Sequence, residues 1–520
     1  NMFISLTGPE SAKANLPIQE RLLAIVGEAK TQELTAYTEE VIDKPLIPEK
    51  LKPGTIKKQL TNRRAGINIW TLSNGVKVYF KKTNFKQDEV LLGAWSPGGF
   101  SYADAASLPS ANLLTWYVGE SGFGEFDSTT LQKLTAGKVA NANLSLGLNS
   151  EGFNASCSPQ DLELMFQMVH QFGTNPRFDE NDFASFLQRA KGVMENKLLD
   201  PQEYFFDYLA AAAYNDNPYM RNLHPEDLDN ADLATMQRIF QDRFADFSDF
   251  SFVIVGNYDE AKIKDLVRTY LGSLPAAKRK DSYKDVGIRP IQGISENRFQ
   301  RGLSDRCFAT LITTSPYKSD VATRSKLHAL IYLYNEKLRE NVRENLSGVY
   351  VVQAWPSQER YPSPHLVLNA FLACDPMRVD ELMNAIVLTA DSLRQGLFED
   401  RYVEAARTTL VKTYEDRIKT NGYWLDGIIT GIAQDRPIDA FLSFPKYYSE
   451  INRQTVIDAA NMFLPYDRNL MKLVMMPEDG IGGASPLLQS AETVESEPVT
   501  IPLPEEETVE SPVMEPPVEE

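Results

Sequence analysis

Apolar positions along the chain fall into one pattern that is passed through twice. From Phe153 a short strand, FNASC, gives way to Pro159 and an acidic residue, then to Leu162, Phe166, Val169 and Phe172 at helical spacing. A second helix follows after Phe178-Asp179-Glu180. From Leu368 the order recurs: LNAFLAC, Pro376, a helix that again carries Glu-Leu-Met, Phe398-Glu399-Asp400, and a further helix. The offset is about 215–220 residues, so the repeating unit is a whole domain rather than a short solenoid module. Each unit also ends on an apolar strand, SFVIVGNYDE (Ser251–Glu260) in the first and NLMKLVMMPE (Asn469–Glu478) in the second.

The same signature stands at the very beginning. NMFISLTGPE (Asn1–Glu10) shares its Asn start, apolar run and Pro-Glu end with NLMKLVMMPE, so residues 1–10 are expected to be the closing strand of an earlier domain, and the chain the C-terminal part of a longer protein. Residues 11–66 read as one helix, around Pro17–Ala36, and a Pro-rich linker, since Ile42–Gly54 holds three prolines. Alternation in INIWTL and VKVYFKK on either side of Asn74-Gly75 predicts a hairpin. Strands mixed with helix pairs predict an α+β fold with two similar domains over 67–277 and 288–479, joined by the polar stretch Lys278–Gly287.

Charge changes this picture only at the end. Net charge is −18, but residues 481–520 hold ten Glu, seven Pro and no Lys or Arg. That composition predicts a disordered acidic tail over 480–520. Neither tail nor body offers a basic stripe, so a nucleic-acid partner is not expected. No run of about 18 apolar residues predicts a membrane span. Ile4–Leu6 is too short for a signal-peptide core, so an export signal would have to lie upstream. Cys157, Cys307 and Cys374 are too few and odd in number for a disulfide framework and lack the pairwise spacing of a zinc site; Cys157 and Cys374 sit in apolar strand-like runs, and the reading is of buried small hydrophobes. The Gly-rich SPGGFS (Ser96–Ser101) and ESGFGEF (Glu120–Phe126) fit no phosphate-binding pattern. His328, within RSKLHALIYLYNEKL, reads as a packing residue, and the aromatic run Tyr204, Phe205, Phe206 and Tyr208 as either core or the wall of a cavity.

This order of elements resembles the pitrilysin/insulinase class of zinc metalloproteases, the inverzincins. TLSNGVKVYF (Thr71–Phe80), HPEDLDNADLATMQRIFQDRF and FVIVGNYDEAKIKDLVRTYLGSLP carry the likeness, which extends over about Asn1–Glu478. The resemblance implies two halves, each of two similar α+β domains, closing around a peptide chamber. It also implies an H-x-x-E-H helix whose histidines bind zinc and whose Glu activates water. Here the corresponding stretch is SANLLTW (Ser110–Trp116): Asn112 and Trp116 hold the ligand places and Thr115 the base place. Glu195 lies near the place of the family's downstream ligand, and one carboxylate cannot hold zinc alone. The chain therefore resembles the half that lacks the metal, with zinc expected in the absent N-terminal half and no metal in this one.

What that half contributes in the family is an Arg and a Tyr that reach the scissile peptide. ENVRENLSGVYVVQAW (Glu340–Trp355) matches, with Arg343 and Tyr350 seven apart, Gly348 between them, and Tyr350 and Val352 expected on one face of a strand. The implied partners are the N-terminal catalytic half and a peptide substrate; the alternative is a non-catalytic scaffold or peptide-binding subunit of the same family. A periplasmic location is implied by family analogy alone.

Overall fold

A computed structural model of the chain describes residues 3–5, 16–31, 44–302, 306–346, 348–361 and 363–478. It falls into two compact units, 1–45 and 46–520. In the first unit, helix α1 (Gln19–Thr31) buries no residue and carries an exposed Arg21–Glu28 ion pair at 3.1 Å. Phe3–Ser5 forms no strand, and the remainder of the expected opening strand lies outside the described residues. So does the expected acidic tail from residue 480 onward.

The second unit contains both repeats. It opens with a meander of β1 (Ile56–Asn62), β2 (Ile67–Leu72) and β3 (Lys77–Lys82). β1 lies in a stretch read from sequence as linker: its side chains are almost all exposed, so no apolar alternation marks it, and it is held by pairing with β2. The first repeat continues through β4 (Val90–Pro97), α2 (Leu108–Ser121), α3 (Ser128–Leu134), β5 (Ala140–Leu146) and β6 (Ser150–Cys157). Helices α4 (Leu162–Thr174), α5 (Glu180–Lys197), α6 (Pro201–Ala212) and α7 (Leu233–Phe244) precede β7 (Ser251–Gly256) and α8 (Glu260–Leu266). The second repeat runs β8 (Ile294–Gln300), β9 (Cys307–Pro316), α9 (Val321–Leu338), β10 (Val349–Glu359) and β11 (His365–Cys374). It ends with α10 (Val379–Gln395), α11 (Asp400–Arg417), α12 (Asn421–Ala433), α13 (Phe444–Ser449), α14 (Arg453–Phe463) and β12 (Leu470–Met476).

Sheet order makes the repeat explicit. The seven-stranded sheet runs β1-β2-β3-β7-β4-β6-β5 and the five-stranded sheet β10-β11-β9-β12-β8. Removing β1 and β2 leaves the same arrangement twice. In both sheets the closing strand pairs parallel with an early strand, β7 with β3 and β12 with β8, and antiparallel with the next, β4 or β9. The expected α+β fold of two similar domains is what the chain adopts.

The helices are shared between the sheets. One face of the second sheet, with Leu311, Leu368 and Leu372, packs on Leu330, Leu333, Ile386 and Phe463 of its own helices. Its other face, with Phe308, Ile312, Phe371 and Leu473, is covered by Phe205 and Leu209 of α6, from the first repeat. In return α12 of the second repeat lies on β4 and β7 of the first. Gly93 on β4 permits that approach, since a Cβ there would meet the Ile429 side chain at 2.4 Å. Asn421 fixes the start of α12 by accepting from the Thr83 hydroxyl (2.6 Å) and donating to Glu89 (2.9 Å). Coverage on both faces explains why β7 and β11 are mostly apolar without alternation and are buried throughout. It also decides the aromatic run: Phe205 is fully buried core, with Tyr204, Phe206 and Tyr208 half-buried around it.

The SPGGFS stretch has a structural use. The buried Glu151 carboxylate accepts from the Gly99 amide at 2.5 Å and lies 3.7 Å from the buried Arg243 guanidinium. Arg243 also pairs with Asp281 at 3.1 Å, which ties the inter-repeat connection to the first domain. Burial pushes the Glu151 carboxyl up to about 8, against the opposing pull of Arg243 and the Gly99 amide.

Candidate functional site

The stretch from Glu340 to Trp355 begins as a continuation of α9. Beyond Leu338 the helix widens into one π-helical turn, Arg339–Glu344, closed by the Asn345 amide on the Glu340 carbonyl at 3.0 Å. Val342 is buried and anchors the turn, which leaves Arg343 exposed. Gly348, at φ +75°, then reverses the chain in a conformation that costs an L side chain roughly 1–2 kcal/mol. Two contacts hold the reversal: the Asp375 amide donates to the Gly348 carbonyl at 3.0 Å, and the Arg378 guanidinium donates to the Leu346 carbonyl. Arg378 is held in turn by Glu381 at 2.9 Å.

β10 starts immediately afterwards, and its first residues are irregular. Val349 faces Cys374 and Val351 faces Ala373, so Tyr350 is the extra residue of a β-bulge. The bulge corrects the expectation that Tyr350 and Val352 share a face. Tyr350 packs, half-buried, on the side of the sheet that holds Phe308 and Phe371, whereas Val352 packs on the helix side. An inserted residue shifts the two-residue alternation by one, which a sequence cannot announce. The Arg306 guanidinium carbon lies 4.5 Å from the Tyr350 ring centroid. Among the described residues no hydrogen bond or ring contact joins Arg343 to Tyr350: they are brought to one turn and the strand leaving it, each with its own surroundings.

β10 is an edge of its sheet, and the sheet order leaves the side away from β11 unpaired. Tyr350 thus stands at the start of a strand with no strand partner along one side, where further on the Asn335 side chain donates to the Ala354 carbonyl at 2.9 Å and accepts from the Ala354 amide at 2.7 Å. Beside the π turn lies a cavity of about 510 Å3, lined by Tyr332, Glu336, Arg339, Glu340 and Tyr402 among others. Glu340 accepts from Lys337 at 2.6 Å and from the Tyr402 hydroxyl at 2.5 Å, and these bonds hold its carboxyl below the usual range. Neither Arg343 nor Tyr350 lines this cavity.

The places of the metal motif lie on α2. Asn112 is exposed and donates to the Leu108 carbonyl of its own helix at 2.9 Å. Thr115 is half-buried. The Trp116 indole donates to Glu120 at 2.6 Å and sets its ring edge-on to Phe186 at 5.1 Å. Glu195 is exposed on α5. An amide already bonded to its helix and a donor-only indole do not fit zinc. Among the described residues no group of three or more His, Cys, Asp and Glu side chains is arranged to hold a metal ion. Asn112 instead forms part of the wall of a cavity of about 240 Å3, with Leu108, Pro109, Arg221 and Asp227, where Arg221 and Asp227 pair at 3.1 Å.

The histidines are spent elsewhere. His328 packs half-buried against Tyr448, its Nδ1 2.7 Å from the hydroxyl, and desolvation pushes its ring down to about 3. His170 is buried and lowered to about 4 for the same reason. His224 Nε2 lies 2.6 Å from Asp207.

A family profile described as "Peptidase M16 inactive domain" matches residues 233–410, a span that includes Arg343 and Tyr350. Residues 233–410 thus resemble the inactive domain of the M16 peptidases, and the chain has the pitrilysin-like fold. Two curated relatives are proteases by name. The Arabidopsis thaliana "Zinc protease PQQL-like" is 23% identical over 81% of this chain and 43% of its own length. The "Probable zinc protease PqqL" of Escherichia coli (strain K12) is 26% identical over 78% of this chain and 44% of its own. This chain thus spans less than half the length of either relative. The crystal structure of the periplasmic protease PqqL from Escherichia coli superimposes with a TM-score of 0.74 at 20% identity, over 90% of this chain and 52% of that one. That likeness is one of fold. No helix among the described residues is long and apolar enough to cross a membrane.

Proposed function

We propose that this chain is the non-metal half of an M16 zinc metalloendopeptidase. It forms half of a peptide-enclosing chamber and supplies Arg343 and Tyr350 to bind and polarise the scissile peptide. The observation that carries this reading is the placement of Tyr350 on a bulge at the start of the edge strand β10, one turn after the exposed Arg343. An extended peptide adding to that edge gains main-chain hydrogen bonds, and its backbone then passes beside the Tyr350 hydroxyl. A phenol and a guanidinium aimed at a carbonyl stabilise the negative charge that develops on its oxygen. Zinc belongs to a separate N-terminal half, which is this chain's partner. Alone, this chain holds no stoichiometric zinc and cleaves no peptide, which metal analysis and a peptide assay of the purified chain check directly. A periplasmic location follows by analogy with the Escherichia coli protein.

The test is peptide hydrolysis by the full-length parent carrying Tyr350→Phe, Arg343→Ala, or both. Removing one donor to a developing oxyanion costs about 10²–10³ in turnover, roughly 3–4 kcal/mol. Melting temperature and zinc content stay at parental values, since Arg343 is exposed and the Tyr350 ring is kept. The two losses combine non-additively, as both groups act on one carbonyl. Near-parental turnover in both single variants would instead favour a scaffold or peptide-binding subunit.

A further inference from the structure

The strand register places two of the three cysteines side by side. Cys307 is the first residue of β9 and Cys374 the last of β11, and the antiparallel pairing sets them directly opposite each other. Both are fully buried, and both belong to the face covered by α9, α10 and α14. Directly opposed residues of an antiparallel pair have Cα atoms about 4.5–5.5 Å apart, inside the window of about 4.4–6.8 Å that disulfides occupy. Cys157 differs: its cross-strand neighbours are Val90 and Ala140, so it has no thiol opposite it.

We propose that Cys307 and Cys374 are a modification site, closing to an intrachain disulfide by exchange with a small-molecule disulfide such as oxidised glutathione. One cysteine thiolate attacks a glutathione sulfur and releases one glutathione thiolate, leaving a mixed disulfide. The second cysteine attacks the protein sulfur of that mixed disulfide and releases the other. Two protein thiols are oxidised, one glutathione disulfide is reduced to two thiols, and the two protons lost by the cysteines pass to the glutathione thiolates.

The position gives the bond a consequence. Cys374 is also opposite Val349, the residue before the Tyr350 bulge, and the next residue, Asp375, holds the Gly348 carbonyl. A β9–β11 cross-link therefore fixes the strand end on which that turn rests. It forms slowly in the folded chain, because the neighbouring Cys374 thiol and burial both keep the Cys307 thiol protonated. Exchange proceeds when the two strand ends open.

Two routes test the proposal on the full chain. In one, the unfolded chain is refolded in glutathione buffers of graded oxidation. In the other, the native chain is held in oxidised glutathione for long times. Each endpoint is alkylated, weighed and peptide-mapped without reduction. The expected result is a fall from three alkylatable thiols to one, Cys157, with a linked pair of peptides carrying Cys307 and Cys374. Cys157→Ser leaves no free thiol after oxidation, and Cys374→Ser shows no internal link. The native route gives the same product more slowly. Three surviving thiols by both routes, a stable mixed disulfide on one cysteine, or a link to Cys157 would each overturn the assignment.

Discussion

The two repeats build the same five strands and diverge at one connection. In the first, α2 ends at Ser121, and β5 pairs with β6 in unbroken register. The polar atoms of Asn112 and Trp116 are spent on their own helix. In the second, α9 runs on into a π turn, the chain reverses at Gly348, and β10 meets β11 through a bulge. Local irregularity leaves Arg343 exposed and turns Tyr350 to the face that holds Phe308 and Phe371, whereas the matching connection of the first repeat stays regular. Irregular turns of both kinds are common where side chains must be re-aimed.

The largest effect should come from the helices that the repeats exchange. Phe205 on α6 is fully buried between Phe308 and Phe371 of the other repeat. Phe205→Ala removes a core ring and leaves a cavity, at about 3–5 kcal/mol. Chemical denaturation of the chain should show one cooperative transition moved to lower denaturant. A first transition that leaves the second repeat folded would mean that the repeats are energetically separate.

The next comparison is electrostatic. The offset that aligns Phe153 with Leu368 sets the buried Glu151 of the first repeat against the buried Leu366 of the second. Glu151 is raised to about 8 when folded, from an ordinary value of 4.5. The folded state therefore binds the proton more tightly than the unfolded state does. Stability tied to this group is complete below about 4.5 and is lost as pH rises through about 8. Each pH step of one across that window is worth about 1.4 kcal/mol, so the whole loss amounts to a few kcal/mol. Glu151→Gln, which does not titrate, should flatten the slope. An unchanged pH profile in that variant would place the slope elsewhere.

A smaller effect is expected at the turn. Gly348→Ala places a Cβ at φ +75° and brings it 3.2 Å from the Arg378 guanidinium. The cost is roughly 1–2 kcal/mol in melting experiments. In the full-length parent the same change should lower turnover further than the stability loss explains, because Tyr350 rides on this turn. Stability and turnover falling in step would make Gly348 a structural residue alone.

How much of this was written in the sequence follows from the kind of interaction. The hairpin around Asn74-Gly75, the strands at Ser251 and Leu470 and the helix pairs of both repeats follow from apolar period, which is local. Burial of the three cysteines and the packing of His328 against Phe444 and Tyr448 follow from the same runs. The exchange of α6 and α12 was not legible, because a helix stripe says that a face is covered and not by which sheet. β1 has no alternation to read, since its side chains are almost all exposed. The π turn and the bulge each insert one residue into a regular period, which moves Tyr350 to the face opposite Val352. The pairing of Cys307 with Cys374 required the register of β9 against β11.

The smallest effect tests the other arm of the opening comparison, that α2 no longer has a chemical role. Asn112 is exposed, and its amide satisfies only the Leu108 carbonyl, which already lies in the helix. Replacing it with Ala removes a weak local bond and improves helix propensity by a few tenths of a kcal/mol. The net change in stability should stay within about 0.5 kcal/mol, the range of surface substitutions away from special contacts. The full-length parent with Asn112→Ala should also keep its zinc content and its turnover. Trp116→Ala is the sharper partner variant. It removes the contact with Phe186 and so lowers the melting temperature, yet it should leave kcat untouched, since the indole is bound to Glu120. Measuring kcat and KM for both variants beside Tyr350→Phe separates the two repeats. A tenfold or greater fall in kcat with Asn112→Ala would show that the regular repeat also meets the substrate, and the contrast between α2 and the turn before β10 would no longer hold.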